Sequence, residues 1–311
     1  MSAVRVEALT RRFGTHVAVD ALSFDVQAGE LFGIVGPDGA GKTTLLRMLA
    51  GVLPPSGGEA WIDGTSVVSD PEGVKTHLAY MAQRFGLYED LTVRENLDFY
   101  ADLYGVPRRD KQERIARLHR FSGLGPFEDR LAGALSGGMK QKLALSCCLV
   151  HHPRLLLLDE PTFGVDPISR RDLWLILHEM IAEGVTIVVS TAYLDEAERC
   201  DRVALLAEGR TLALDTPDAL RTRVRGPVRA LVTDAPRQAR DVLRGAPGVV
   251  SATLFGEAVH VLLDAGATDP DLEGLLAADG IRVLERSTHE PTLENVFVAL
   301  VEESERVGAG A

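Results

Sequence analysis

Apolar and polar positions along the 311-residue chain alternate between a strand-like and a helix-like texture. Leu31 to Val35 is an unbroken apolar run, short enough for a buried strand, and it stops at Gly36. A helical pattern restarts at Lys42, with Leu45, Leu46, Leu49 and Leu53 at helical spacing. Residues 4–9 and 22–26 alternate like strands, with Phe13-Gly14-Thr15 as a turn between them. Ala60-Trp61-Ile62 followed by Asp63-Gly64 predicts a strand ending in a hairpin turn. Leu78 to Ala82 predicts another short strand, ending at Gln83.

From Arg84 to about Leu149 the pattern is helical. Thr92-Val93-Arg94-Glu95 is a capping box, opening a helix with Leu97, Tyr100, Ala101 and Tyr104 on one side. Gly105 and Pro107 stop it. A second helix, residues 111–121, carries Ile115, Leu118 and Phe121, and Leu135-Ser136-Gly137-Gly138 opens a third through about Val150. Leu155 to Leu158 and residues 186–190 suit strands buried on both faces, and 203–207 with 211–214 reads as a closing hairpin. This alternation predicts a three-layer α/β core with an inserted helical lobe, about residues 84–150, beside an antiparallel β subdomain.

Arg225-Gly226-Pro227 reads as a linker. Beyond it the order is strand (228–233), helix (236–244), strand (249–255), strand (258–263), helix (270–279), strand (281–286). That is the split βαβ order of a small ferredoxin-like α+β domain. A final helix from Thr292 carries Leu293, Val296, Phe297, Leu300 and Val301 on one apolar face. The expected domains are therefore residues 1–222 and 227–303, with a tail at 304–311.

Composition narrows the function classes. Hydrophobic content of 46% fits a globular chain, and a net charge of −12 argues against a duplex-binding surface, so no nucleic acid is expected. No apolar run reaches the 18 residues of a membrane span, and the N-terminus lacks the apolar stretch of a signal peptide. Cys147, Cys148 and Cys200 form no metal-like pattern and read as small buried hydrophobes.

The candidate chemistry centres on Gly36-Pro37-Asp38-Gly39-Ala40-Gly41-Lys42-Thr43, which fits G-x-x-x-x-G-K-[ST] in full. Glycines let the backbone curl so that successive N–H groups face phosphate oxygens, and a helix N-terminus adds its positive end. Lys42 is placed for the β- and γ-phosphates, and the Thr43 hydroxyl for Mg²⁺. A Gly-rich turn that binds nothing explains the glycines but not the Lys-Thr pair, so the loop points to a nucleoside triphosphate. Four leucines lead into Asp159-Glu160 at a strand end, where ligands sit in open α/β sheets. Asp159 is the candidate for Mg²⁺ and Glu160 for orienting or deprotonating the attacking water. Ser136-Gly137-Gly138 is a second anion seat at a helix start; taken alone it is merely a good N-cap.

Together these residues resemble the ATPase subunit of ATP-binding cassette (ABC) transporters, over about residues 4–220. GPDGAGKT is similar to the Walker A loop, LLLLDE to Walker B, and LSGGMKQK to the signature, with Met139 in place of a common Gln. The resemblance implies ATP and Mg²⁺ as ligands, held through the loop from Gly36 to Thr44. It also implies that Gln83 is the Q-loop glutamine, serving catalysis and the metal, that Gly164-Val165-Asp166 is the D-loop, and that Phe13 stacks on adenine. It further implies a head-to-tail dimer in which Ser136 and Gly138 of one chain close over ATP held by Lys42 of the other. DTPDAL and EPTLENVFVAL resemble the tails of drug or antibiotic exporters with a separate transmembrane permease, which would dock on the helical lobe near Arg84 to Tyr88. A peripheral place on the cytoplasmic face of the membrane follows, and export rests on the tail alone.

One departure stands out. The family usually has a His after Ser-Thr at the strand end, whereas Ser190-Thr191 is followed here by Ala192, and a methyl group donates no hydrogen bond. Asp38 also puts an acid inside the phosphate loop. Slow hydrolysis at two identical sites, or pairing with a second, complete ATPase chain, both accommodate Ala192. The rival functions are a soluble ABC-type ATPase acting on ribosomes or nucleic acid and an ATP-gated regulatory subunit. Neither an internal repeat nor sustained heptads supports the first; Glu160 argues against the second and Ala192 for it.

Overall fold

The computed structural model describes residues 2–84, 86–224, 226–264 and 270–309, the last five by backbone alone. Arg225 of the expected linker and residues 310–311 of the expected tail lie outside the described residues. The chain forms two compact units, Met1–Thr211 and Leu212–Ala311.

The first unit opens with two long strands, β1 (Ser2–Phe13) and β2 (His16–Gln27), joined at Gly14-Thr15. With β4 (Gly57–Ile62) and β5 (Thr65–Ser66) they make an antiparallel sheet in the order β2-β1-β4-β5. Asp63 and Gly64 both have positive φ, as a tight hairpin turn between β4 and β5 requires. Between these strands lie β3 (Leu31–Val35) and helix α1 (Lys42–Leu49), followed by α2 (Pro71–Lys75) and β6 (Leu78–Met81).

Helices α3 (Val93–Leu103), α4 (Arg108–Ser122) and α5 (Gly137–Leu149) form the helical insertion. The capping box at Thr92 is complete: its hydroxyl accepts the Glu95 N–H, and the Glu95 carboxylate accepts the Thr92 N–H. The sheet then resumes with β7 (Leu155–Asp159), α6 (Pro167–Ala182), β8 (Thr186–Thr191), α7 (Leu194–Ala197), β9 (Arg202–Ala207) and β10 (Arg210–Asp215). The six strands run β10-β9-β3-β8-β7-β6, with β6, β7, β8, β3 and β9 parallel. Every residue of β3, β7 and β8 is buried, which explains why their sequences show no alternation. Helix α1 packs on β7 and β8 and also on β2 and β4, α5 on β6, and α6 on β8. Cys147, Cys148 and Cys200 are buried and unbridged, and burial holds their thiols protonated.

Asn96 ties the helical insertion to the segment that follows Gln83. It is fully buried, its amide oxygen accepts the Tyr88 N–H at 3.0 Å, and its amide nitrogen donates to the carbonyls of Tyr88, Leu91 and Thr92. Asn96→Ala strands those buried groups and is expected to destabilise the protein by about 2–4 kcal/mol, read as a lower urea midpoint at unchanged slope.

The second unit carries α8 (Pro217–Arg221) and then β11 (Val228–Thr233), α9 (Pro236–Leu243), β12 (Val249–Phe255), β13 (Ala258–Leu263), α10 (Leu272–Ala278) and β14 (Val283–His289). Its antiparallel order, β12-β13-β11-β14, is that of a ferredoxin-like fold, with Leu231, Val259, Leu243 and Leu276 in the core. The last helix, α11 (Leu293–Ala309), docks within this unit through Leu293 and Val296, both buried.

Candidate nucleotide site

The loop between β3 and α1 is shaped by close backbone approach. A Cβ on Gly36 would stand 2.2 Å from the Leu206 carbonyl oxygen, and one on Gly41, at φ +98°, 2.3 Å from that of Ala18. Gly41 is also the N-cap of α1 and offers no side-chain cap, so the first N–H groups of the helix lack that satisfaction. They face a cavity of about 460 Å³ lined by Asp38, Gly39, Gly41, Lys42, Thr43 and Thr44 from the loop. Phe13, His16, Ala18, Gln83, Glu160 and Phe163 complete its wall. An uncapped helix start, a lysine and a nucleotide-sized hollow fit a polyphosphate.

Lys42 is 4% exposed, and its ammonium reaches the carbonyls of Gly36 (2.8 Å) and Pro37 (3.0 Å) and Glu160 Oε1 (3.0 Å). All three of its protons therefore have acceptors. Gln83 Nε2 donates to the other Glu160 oxygen at 2.9 Å. Glu160 itself sits at a left-handed φ of +49°, a conformation costing about 1–3 kcal/mol for a non-glycine residue. Its N–H is held at Ser190, by the hydroxyl (3.0 Å) and the carbonyl (3.2 Å).

Asp159 is buried and bonded on both oxygens. Oδ1 accepts from Thr43 (3.0 Å) and Ser190 (2.9 Å), and Oδ2 from Tyr80 (3.3 Å). Burial first, and then the Asp159 charge, pushes Tyr80 up to about 12, so the phenol stays a donor. The Thr43 and Asp159 oxygens are hard donors 3.0 Å apart, and neighbouring ligands around an octahedral ion with Mg²⁺-length bonds lie roughly 2.9 Å apart. The residues present therefore fit Mg²⁺ completed by substrate phosphates.

Of the other sequence-predicted residues, Phe13 belongs to the cavity wall and the rest stand outside it. Gly36 and Ala40 are in the loop but do not line the cavity; the Gly36 N–H goes to the Thr191 carbonyl and the Ala40 N–H to Pro37. Phe13 is 47% exposed on the hairpin tip, with the Arg11 guanidinium 4.7 Å from its ring centre. Ser136, Gly137 and Gly138 start α5 away from the cavity, and Ser136 accepts the Met139 N–H as a cap. Asp166 caps α6 by accepting from Ile168 and Ser169, and the Ser169 N–H in particular holds its carboxyl below the usual range. Gly138 lies against this cap: a Cβ there would be 2.3 Å from Ser169 Oγ. Sequence reasoning missed Tyr80 and the Ser190 hydroxyl. Parallel register brings Ser190 opposite Asp159 and Tyr80 opposite Leu157, pairings with no local signal.

A glycine loop between a buried strand and a helix, with lysine and threonine inside and an Asp-Glu pair at the end of β7, on the far side of β8 from the loop's strand, defines a P-loop nucleotide-binding protein. Residues 19–163 match the ABC transporter family. The probable multidrug ABC transporter ATP-binding protein YbhF of Escherichia coli (strain K12) is 46% identical over 288 residues, 91% of this chain and 49% of YbhF. The chain thus spans about half the length of that relative. The daunorubicin resistance ATP-binding protein DrrA2 of Streptomyces coeruleorubidus is 34% identical over 304 residues, covering 96% of this chain and 94% of DrrA2. A solved ATP-binding subunit of an ABC transporter aligns with a TM-score of 0.66 at 31% identity, over 71% of this chain and 93% of that one. The chain belongs to the ABC transporter family, among its ATP-binding proteins. Among the described residues, no helix is long and apolar enough to cross a membrane.

Proposed function

We propose that this chain binds and hydrolyses ATP to power a drug or antibiotic exporter whose transmembrane permease is a separate subunit. The observation carrying this reading is the division of the phosphate-binding parts. Lys42, Thr43 and Glu160 line one cavity, with Asp159 bonded to Thr43, while Ser136 and Gly138 stand outside it at the start of α5, where they would serve a second ATPase chain. In that head-to-tail pair, copies of this chain or this chain with another ATPase, the loop amides from Gly39 to Thr44 and Lys42 hold the triphosphate. Phe13 stacks on adenine, and Asp166 orders the loop reaching the partner. Thr43 and Asp159 would hold Mg²⁺, with Gln83 nearby; the ion neutralises phosphate charge. Glu160, oriented by Gln83, takes the proton of the attacking water. Closure of the pair then moves a permease docked on the helical lobe near residues 84–88, at the cytoplasmic face. The proposed working parts are residues 1–222, with the lobe at 84–150, and 227–303, with a tail at 304–311.

Lys42→Ala tests the base of this reading. Fluorescent-ATP titration is expected to show at least tenfold weaker binding, and unchanged affinity would overturn it. Co-purification of the full chain with a polytopic membrane protein separates the exporter from a soluble ribosome- or nucleic-acid-directed ATPase.

A further inference from the structure

Behind the Asp159–Glu160 turn lies a buried polar cluster with no part in holding phosphate. Glu196, on α7, is 1% exposed. Its Oε2 accepts the hydroxyls of Thr162 (3.0 Å) and Thr191 (2.7 Å), both also 1% exposed. Its Oε1 faces Arg170 Nε at 3.5 Å, and neither of those atoms has a hydrogen bond. Arg170 belongs to the first turn of α6, behind the Asp166 cap, and its guanidinium lies 4.4 Å from the Tyr193 ring centre.

Thr162 is two residues past Glu160, and Thr191 directly follows Ser190, whose hydroxyl joins the Glu160 N–H to the Asp159 carboxylate. One carboxylate oxygen therefore ties the turn after β7, which carries Asp159 and Glu160, to the end of β8, which carries Ser190. Burying a carboxylate with only one oxygen hydrogen-bonded, and its cation at 3.5 Å, is a costly way to fill space, and an apolar side chain would fill it more cheaply. We propose that Glu196 is a positioning residue for hydrolysis: by clamping Thr162 to Thr191 it keeps the strained Glu160 turn aimed at the cavity. This inference rests on the reading of Glu160 as the group that activates water.

The test compares Glu196→Ala and Glu196→Gln in the full chain by ATP turnover and by backbone hydrogen exchange over residues 159–165 and 36–44. Glutamine keeps the size and one acceptor oxygen for the two hydroxyls. Glu196→Ala is expected to lower kcat at least tenfold with KM within twofold, and to speed exchange at 159–165 but not at 36–44. Glu196→Gln restores most of both. Unchanged kcat, unchanged exchange at 159–165, or equal loosening of both segments overturns the proposal. Should Glu196→Ala not fold, Thr162→Val and Thr191→Val, each removing one hydroxyl, decide it with the same readouts. Wild-type turnover persisting in Glu160→Gln would defeat the catalytic reading instead, and the exchange data would still decide whether Glu196 holds the turn.

Discussion

Glu160→Gln is expected to cut ATP turnover by roughly 100-fold or more while strengthening nucleotide binding several-fold. The two effects come from different contacts of one carboxylate. Gln keeps the shape and the Gln83 neighbour but accepts no proton from water, so the chemical step loses its base. In the free chain Glu160 Oε1 lies 3.0 Å from Lys42, whose remaining protons go to the Gly36 and Pro37 carbonyls. A triphosphate must therefore compete with Glu160 for that ammonium, and a neutral amide competes less. Phosphate release reads the first effect and fluorescent-nucleotide titration the second. A variant that loses turnover and affinity together would place Glu160 in ground-state binding and remove it as the base.

How much of this was legible from the chain depends on whether the signal was local. Strands β3 and β7 stood out because four or five buried residues in a row are bounded by turn residues. In the second unit, β11, β12 and β13 match their expected bounds. The N-terminal strands ran longer than the alternation implied, residues 2–13 and 16–27 rather than 4–9 and 22–26. Register shifts lie between Val6 and Leu9 and between Leu9 and Arg11, and Ala8 and Ala21 have positive φ. Each bulge breaks the period of two on which the reading depends. Helix α1 ends at Leu49 although its apolar spacing continues to Leu53, because the chain turns left-handed at Gly51. The five-residue helix α2 was invisible: it buries only Val74 and leaves no periodic stripe. In the site, the loop and the acid pair were readable as motifs. Tyr80, Ser190 and Glu196 act through neighbours 30 or more residues away, or through a cluster that exists only once β7 and β8 are paired.

Ala192→His is expected to raise ATP turnover, by up to roughly 100- to 1000-fold if the position is rate-limiting. The alanine follows β8 and is exposed, and its methyl group has nothing to donate to a γ-phosphate. The adjacent hydroxyls cannot stand in. Ser190 Oγ is committed to Asp159, and Thr191 Oγ1 donates to Glu196 while accepting the Tyr193 N–H. An imidazole here supplies an N–H in either protonation state, so the gain should persist across neutral pH. It should vanish in the double variant with Glu160→Gln, because a transition-state donor adds little where no water is activated. A gain in the chain paired with itself identifies two slow identical sites. A gain seen only beside a second ATPase chain identifies a mixed pair, with this chain as the slow partner. No gain in either assembly means that a missing donor at position 192 does not set the rate.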